Sequence, residues 1–136
     1  MLGYHIAQAD IPAKVAFFKH IGRPLGIRPV EFTILLVVAF NPGATQKQIG
    51  QALALSAPNL TLLLDRMQER GWLERVRSET DRRAQSLHLT DAGQQVAEQA
   101  HGISLTMEQD LLKHLTEGEK LMLRELLDKV ARHRRI

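Results

Sequence analysis

The sequence predicts a mainly α-helical chain interrupted by one small β-hairpin. Three observations carry this prediction. Apolar residues recur three and four apart along most of the 136 residues, which is the helix period. Residues that cap helices stand in front of the apolar runs, at Thr45, Ser56, Thr90 and Thr116. Period-two alternation is confined to "WLERV" at 72–76 and "QSLHL" at 85–89, with a charged segment between them.

The first stretch, about residues 2–21, places Ile6, Val15, Phe17 and Phe18 at helical spacing. Pro12 either kinks it or lets Asp10 cap a second start. "GRPLG" at 22–26 reads as a break. Pro29 suits the first turn of a second helix, whose expected buried face is Phe32, Leu35, Leu36, Ala39 and Phe40. "NPG" at 41–43 ends it.

Two short helices with well-marked boundaries follow. Thr45 with Gln48 three residues later is a capping-box pattern, and Ile49, Ala52 and Leu53 are expected to point inward. "LALS" is the turn. Ser56 is a good N-cap, and Leu55 and Leu60 have the spacing of a hydrophobic staple. Pro58 is tolerated because first-turn amides have no helical partner. Leu60, Leu63, Leu64 and Met67 fill one face, and Gly71 closes the helix as a C′ glycine. Asn59, Thr61, Leu62, Arg66 and Arg70 point away from that stripe.

Beyond the hairpin, Thr90 caps a long helix to about His114, carrying Val96, Ala97, Ala100, Ile103, Leu105, Met107, Leu111 and Leu112. Thr116 and Glu119 form another capping box, before a last helix to about His133. These helices are more apolar than one small lobe requires, which implies pairing with a second subunit. The expected organisation is an N-terminal dimerisation helix and lead-in at 1–28, a central lobe at 29–90 that holds the two short helices and the hairpin, and C-terminal dimerisation helices at 91–136.

Composition excludes several functions. With 44% hydrophobic residues the chain suffices for one domain with a core, not for two full-sized ones. Net charge is only +3, but arginine outnumbers lysine twelve to six, and half of the arginines lie between Arg66 and Arg83. Arginine is suited to phosphate and narrow-groove contacts because its fork is planar and always charged. Without cysteine there is no disulfide, thiolate metal site or thiol redox sensor, which fits a reducing compartment. "FTILLVVAF" falls far short of the roughly 20 apolar residues of a membrane span. The N-terminus lacks a signal-peptide plan. A cytoplasmic location away from membranes is expected. None of the six histidines has i, i+4 spacing to another, so no metal site is expected, nor any cofactor. No nucleophile–base set or phosphate loop points to an enzyme.

Residues 45–89 therefore read helix, turn, helix, hairpin: a winged helix-turn-helix. Alone, Asp81-Arg82-Arg83 is most simply a solvated turn. Placed after this helix pair it acquires a physical role. The second helix can enter the major groove, where base edges are distinguishable, and the hairpin tip can reach the adjacent minor groove, where arginine is favoured. Double-stranded DNA is the expected partner. The alternative is a winged helix that binds protein and no DNA.

The segment "TQKQIGQALALSAPNLTLLLDRMQERGWLERVRSETDRRAQSLHLTDAG" at 45–93 resembles the MarR family of bacterial regulators. "LLLDRMQERGWLERV", the wing "DRR" and the exit "LHLTDAG" carry the match, and "LGIRPVEFTILLVVA" is similar to the family's lead-in and second helix. The resemblance spans essentially the whole chain, the terminal helices in pattern only. It implies a homodimer with interlocking terminal helices, a palindromic operator, repression of nearby genes, and loosening of DNA by a small aromatic or phenolic acid.

The resemblance also implies roles for individual residues. Residues 56–70 become the recognition helix, with Ser56 at its start and Asn59, Thr61 and Arg66 as DNA contacts. Asp81 and Arg83 match an Asp-x-Arg wing signature. Arg83 is expected in the minor groove, with Asp81 holding the wing arginines, Arg82 included. Apart from the resemblance, Lys47 and Gln46 open the first short helix, where a phosphate contact and simple solvation are alternative readings. "SAPNLTLLL" departs from the family in offering little positive charge, so apolar readout by Leu62, for instance of a thymine methyl, is expected. His5, Phe17, His20, Arg23 and Phe32, with Tyr4, fall where family members form an effector pocket. Other residues have structural readings: Asp65 pairing with a wing arginine, Trp72 in the core, and the basic end at 129–136 as favourable charge at a helix C-terminus.

Overall fold

A computed structural model describes residues 1–81 and 83–133. Helix α1 (Leu2–Phe17) runs through a π-turn, Phe18–Gly22, into the short α2 (Arg23–Leu25). Helices α3 (Pro29–Phe40), α4 (Gln46–Leu53) and α5 (Ala57–Glu69) follow. Strands β1 (Leu73–Arg77) and β2 (Gln85–Leu89) form an antiparallel hairpin, and α6 (Asp91–Leu111) and α7 (Glu117–Arg132) complete the chain.

The capping residues do what their positions predict. Thr45 Oγ1 accepts the Gln48 N–H at 3.1 Å while Gln48 Oε1 accepts the Thr45 N–H at 2.9 Å. Ser56 Oγ accepts the Asn59 N–H at 3.4 Å. Thr116 and Glu119 close a second box. These bonds satisfy first-turn amides that have no helical acceptor.

One apolar core runs from the end of α1 to the start of α6. It contains Phe17, Ile21, Ile27, Ile34, Leu35, Val38, Ile49, Leu60, Leu64, Met67, Trp72, Leu73, Leu87, Ala97 and Ala100. The hairpin is fastened to the core lobe by backbone. Gly43 N–H donates to Leu87 O at 3.0 Å, Leu87 N–H donates to Ala44 O at 2.9 Å, and Thr45 bridges to Ser86.

The structure corrects several sequence expectations. The buried face of α3 is Glu31, Ile34, Leu35 and Val38, whereas Phe40 is 70% exposed. Residues 34–40 are continuously apolar, so period alone could not choose the face. "GRPLG" is not a break until Gly26, which takes the left-handed conformation at φ 63°. Gly22 lets the chain pass against the Phe17 and Phe18 rings, and Pro24 sits in a first turn where its missing N–H costs little. Pro12 lies inside an unbroken α1, and Asp10 pairs with Lys14 at 2.6 Å instead of capping a new helix. On α4, Ile49 is buried and Leu53 half-buried, but Ala52 is exposed. Trp72 precedes the hairpin instead of starting it, and α6 ends at Leu111, three residues before the expected stop.

A candidate nucleic-acid interface

The helix-turn-helix is closed by an Ala54 in the left-handed region, φ 53°, which swings the chain from α4 into α5. Leu60, Leu64 and Met67 anchor α5 in the core. That anchoring leaves Asn59, Leu62 and Arg66, at i, i+3 and i+7, as one outward stripe. Leu62 is 67% exposed. Thr61 is exposed too, and its hydroxyl accepts the Gln46 Nε2–H at 2.9 Å, tying α5 to α4.

The hairpin is held at an angle to α5 by side chains at its root. Arg75 on β1 donates through Nε to Gln68 Oε1 at 3.0 Å and through Nη2 to Asp65 Oδ1. Asp65 thus pairs with a wing arginine, as expected, and its carboxylate is turned to the hairpin. At the tip, Ser78 Oγ accepts the N–H groups of Thr80 and Asp81, each at 3.3 Å. Asp81 Oδ1 accepts the Arg83 N–H at 3.0 Å. Asp81 shapes the turn that presents Arg83 by bonding its backbone, with no ion pair to that guanidinium. Arg82 lies outside the described residues, as do residues 134–136 of the basic end.

These elements bring four of the sequence candidates to one groove. Lys47 and Ser56 line it from α4 and the start of α5, and Asp81 and Arg83 line it from the wing. Gln51 on α4 and Gln85 on β2 line it as well. Sequence reading missed both, because a glutamine on a helix or strand gives no signal until two elements face each other. Among the described residues, the side chains of Lys47, Arg66 and Arg83 have no hydrogen-bond or ion-pair partner, while Arg70 and Arg75 are engaged internally. Uncommitted cations beside a groove are what phosphate binding requires.

The effector-pocket candidates are spread along the N-terminal arm, except Phe32, which lies on α3. The Phe17 and Phe32 rings lie 5.6 Å apart in the core, and Phe17 also meets Phe18 edge-on at 5.6 Å. His20 is half-buried and Arg23 exposed nearby in sequence. His5 and Tyr4 are exposed in the first turns of α1, with rings 5.6 Å apart.

The MarR family pattern matches residues 25–84, which span α3, the helix-turn-helix, β1 and the wing tip and stop just before β2. The multiple antibiotic resistance protein MarR of Escherichia coli (strain K12) is 32% identical over 108 residues, covering 79% of this chain and 75% of that protein. The transcriptional repressor CouR, solved bound to a 23-mer DNA duplex, superposes with a TM-score of 0.89 at 32% identity, over 96% of this chain and 92% of that one. A mutant MarR from E. coli, complexed with operator DNA, superposes with a TM-score of 0.85 at 29% identity, over 95% and 92% of the two chains. With the helix-turn-helix, the wing and these likenesses together, the chain belongs to the MarR family of winged helix-turn-helix transcriptional regulators.

Proposed function

We propose that the protein is a homodimeric repressor that binds a palindromic operator near its own gene in the cytoplasm. The supporting observation is the groove between α4, the start of α5 and the wing, flanked by cations with no internal partner among the described residues. In this reading α5 enters the major groove, with Asn59, Thr61, Leu62 and Arg66 toward base edges. Arg83 reaches the minor groove, Arg82, its neighbour in sequence, adds positive charge to the wing, and Lys47 and Ser56 contact phosphate. Residues 29–90 form the reading lobe, while 1–28 and 91–136 are the dimerisation arms. Exposed apolar side chains on both arms support a second copy there: Leu2, Tyr4, Ile6 and Ile11 on α1, and Leu123, Leu126, Leu127 and Val130 on α7. Among the described residues no helix is long and apolar enough to cross a membrane.

A small aromatic or phenolic acid would release the DNA by favouring a dimer whose recognition helices no longer match the operator spacing. Phe17 and Phe32 would give the ring a surface, and His20, Arg23 or His5 would meet the carboxylate. Titration calorimetry with benzoate and hydroxybenzoates tests this half of the proposal, and absence of binding across the series removes it.

Fluorescence anisotropy with DNA from the gene's upstream region, against scrambled DNA over a salt series, tests the other half. The expected result is tight binding to the upstream fragment, weaker binding to scrambled DNA, and steep loss with salt. No binding to either DNA at low salt would turn the reading toward a protein-interaction module.

A further inference from the structure

We infer that Arg70 is a strut that transmits the position of the N-terminal arm to the recognition helix and the wing. The inference rests on the proposal that α5 and the hairpin read DNA. Arg70 is the residue that caps α5 at its C-terminus. Its guanidinium lies 3.6 Å above the ring of Trp72, the residue before the wing. Its Nη1 donates to the carbonyl oxygen of Gly26 at 2.5 Å. Gly26 is where the arm formed by α1 and α2 ends, in the left-handed conformation. A Cβ added there would stand 3.3 Å from Arg70 Nη2. One side chain therefore touches the end of the arm and the root of the wing while belonging to the recognition helix.

Glu31 makes this node more than a fixed brace. Its side chain is 2% exposed. Oε1 accepts the Arg28 N–H at 3.1 Å, closing the start of α3. Oε2 is buried and has no hydrogen-bond partner among the described residues. The guanidinium is close, with Nη1 at 3.9 Å, but beyond hydrogen-bond reach. A buried carboxylate oxygen left unbonded is costly, and an arginine has five N–H donors in a rigid fork. A movement of about 1 Å would bring a donor within range. Arg70 thus has two arrangements, one held by the Gly26 carbonyl and one held by Glu31. An arm displacement that withdraws Gly26 selects the second. It draws the guanidinium off the Trp72 ring, and with it the end of α5 and the wing root. Discrete alternatives of this kind let a small shift at one site become a change of state at another.

The test perturbs the arm and reads the wing root in the full chain without DNA. Gly26→Ala places a side chain against Arg70, and amide exchange is followed at Ile27, bonded to Gly22 O, and at Trp72, bonded to Met67 O. The expected result is exchange faster by about tenfold or more at both amides. In an Arg70→Met background, Gly26→Ala should change Ile27 but no longer Trp72. An effect on Trp72 that persists without Arg70, or that never occurs, overturns the strut. If Arg70→Met does not fold, Arg70→Lys keeps the charge but loses the planar fork and stack, and must uncouple the two amides likewise. Because these readouts use no DNA, they stand whether or not the regulator binds its operator. With operator DNA, Arg70→Met should weaken binding about tenfold with the salt slope unchanged. A slope reduced by about 0.9 would make Arg70 a phosphate contact and overturn its assignment as a positioning residue.

Discussion

A Cβ added to Gly93 would stand 1.8 Å from the carbonyl oxygen of Trp72. That oxygen already accepts the Thr90 N–H at 3.1 Å, and Thr90 Oγ1 donates to Gly71 O while accepting the Gly93 N–H. The first turn of α6 is thus laid directly on the backbone that leads into the wing. Gly93→Ala should lower stability by more than the roughly 1–3 kcal/mol usual for overpacking, because the obstacle is backbone and not a side chain that can turn aside, checked as a reduced midpoint in urea. The arginines of 66–83 separate just as sharply. Arg75 is half-buried against Asp65 and Gln68, whereas Arg83 is exposed at the tip of the wing. Arg83→Glu should leave the melting curve within about 0.5 kcal/mol of the parent while lowering DNA affinity tenfold or more, by anisotropy. Arg75→Ala should do the reverse in part, lowering stability by about 0.2–1 kcal/mol. A residue count cannot tell these arginines apart, because their difference lies in partners contributed by α5.

At the scale of elements, the helix-turn-helix turns on Ala54, at φ 53°. The left-handed region costs a residue with a Cβ about 1–2 kcal/mol. Glycine there would relieve that cost, offset by about 0.4–1 kcal/mol of additional unfolded-state entropy. Ala54→Gly should therefore be neutral or stabilising by about 1 kcal/mol, read from thermal unfolding, with DNA affinity unchanged. Element boundaries of this kind were largely legible in the sequence. Thr45, Ser56, Thr90 and Thr116 each cap the helix they precede, because a cap is a local bond between residues three apart. What was illegible is non-local. The apolar run of α3 hides its inward face, so Glu31 becomes a buried residue that no periodicity announces. Gly22 and Pro24 look like a helix stop, yet the Phe17 and Phe18 rings packed on Gly22 carry the arm through a π-turn. Within the candidate site, the stripe on α5 follows from helical spacing. Its meeting with the wing across Gln51 and Gln85 appears only once the hairpin is folded back.

For the whole molecule, two regions differ in how their apolar surface is used. The core closes on residues from Phe17 to Ala100, drawing the end of α1 and the first half of α6 in with the helix-turn-helix and the hairpin. Helix α7 contributes no buried residue, yet it carries Leu123, Leu126, Leu127 and Val130 at i, i+3, i+4 and i+7, a continuous apolar stripe. Its tie to α6 includes Arg124 Nη2 to Glu108 Oε2 at 3.1 Å, an exposed pair of small energetic weight. If the stripe is covered by a second copy, charge there breaks the dimer without touching the lobe's core. Leu123→Asp with Leu127→Asp should give a monomer by light scattering, with the lobe's near-ultraviolet Trp72 signal retained. A symmetric operator places half-sites about 34–36 Å apart, and only a dimer engages both at once. Loss of the second contact removes the gain from effective concentration, commonly 10²–10⁴ in affinity by order of magnitude. Operator binding should therefore fall by about that factor while the salt slope drops to about half, since half of the phosphate contacts remain. A variant that stays dimeric, or a monomer that binds as tightly as the parent, would separate the arms from DNA recognition.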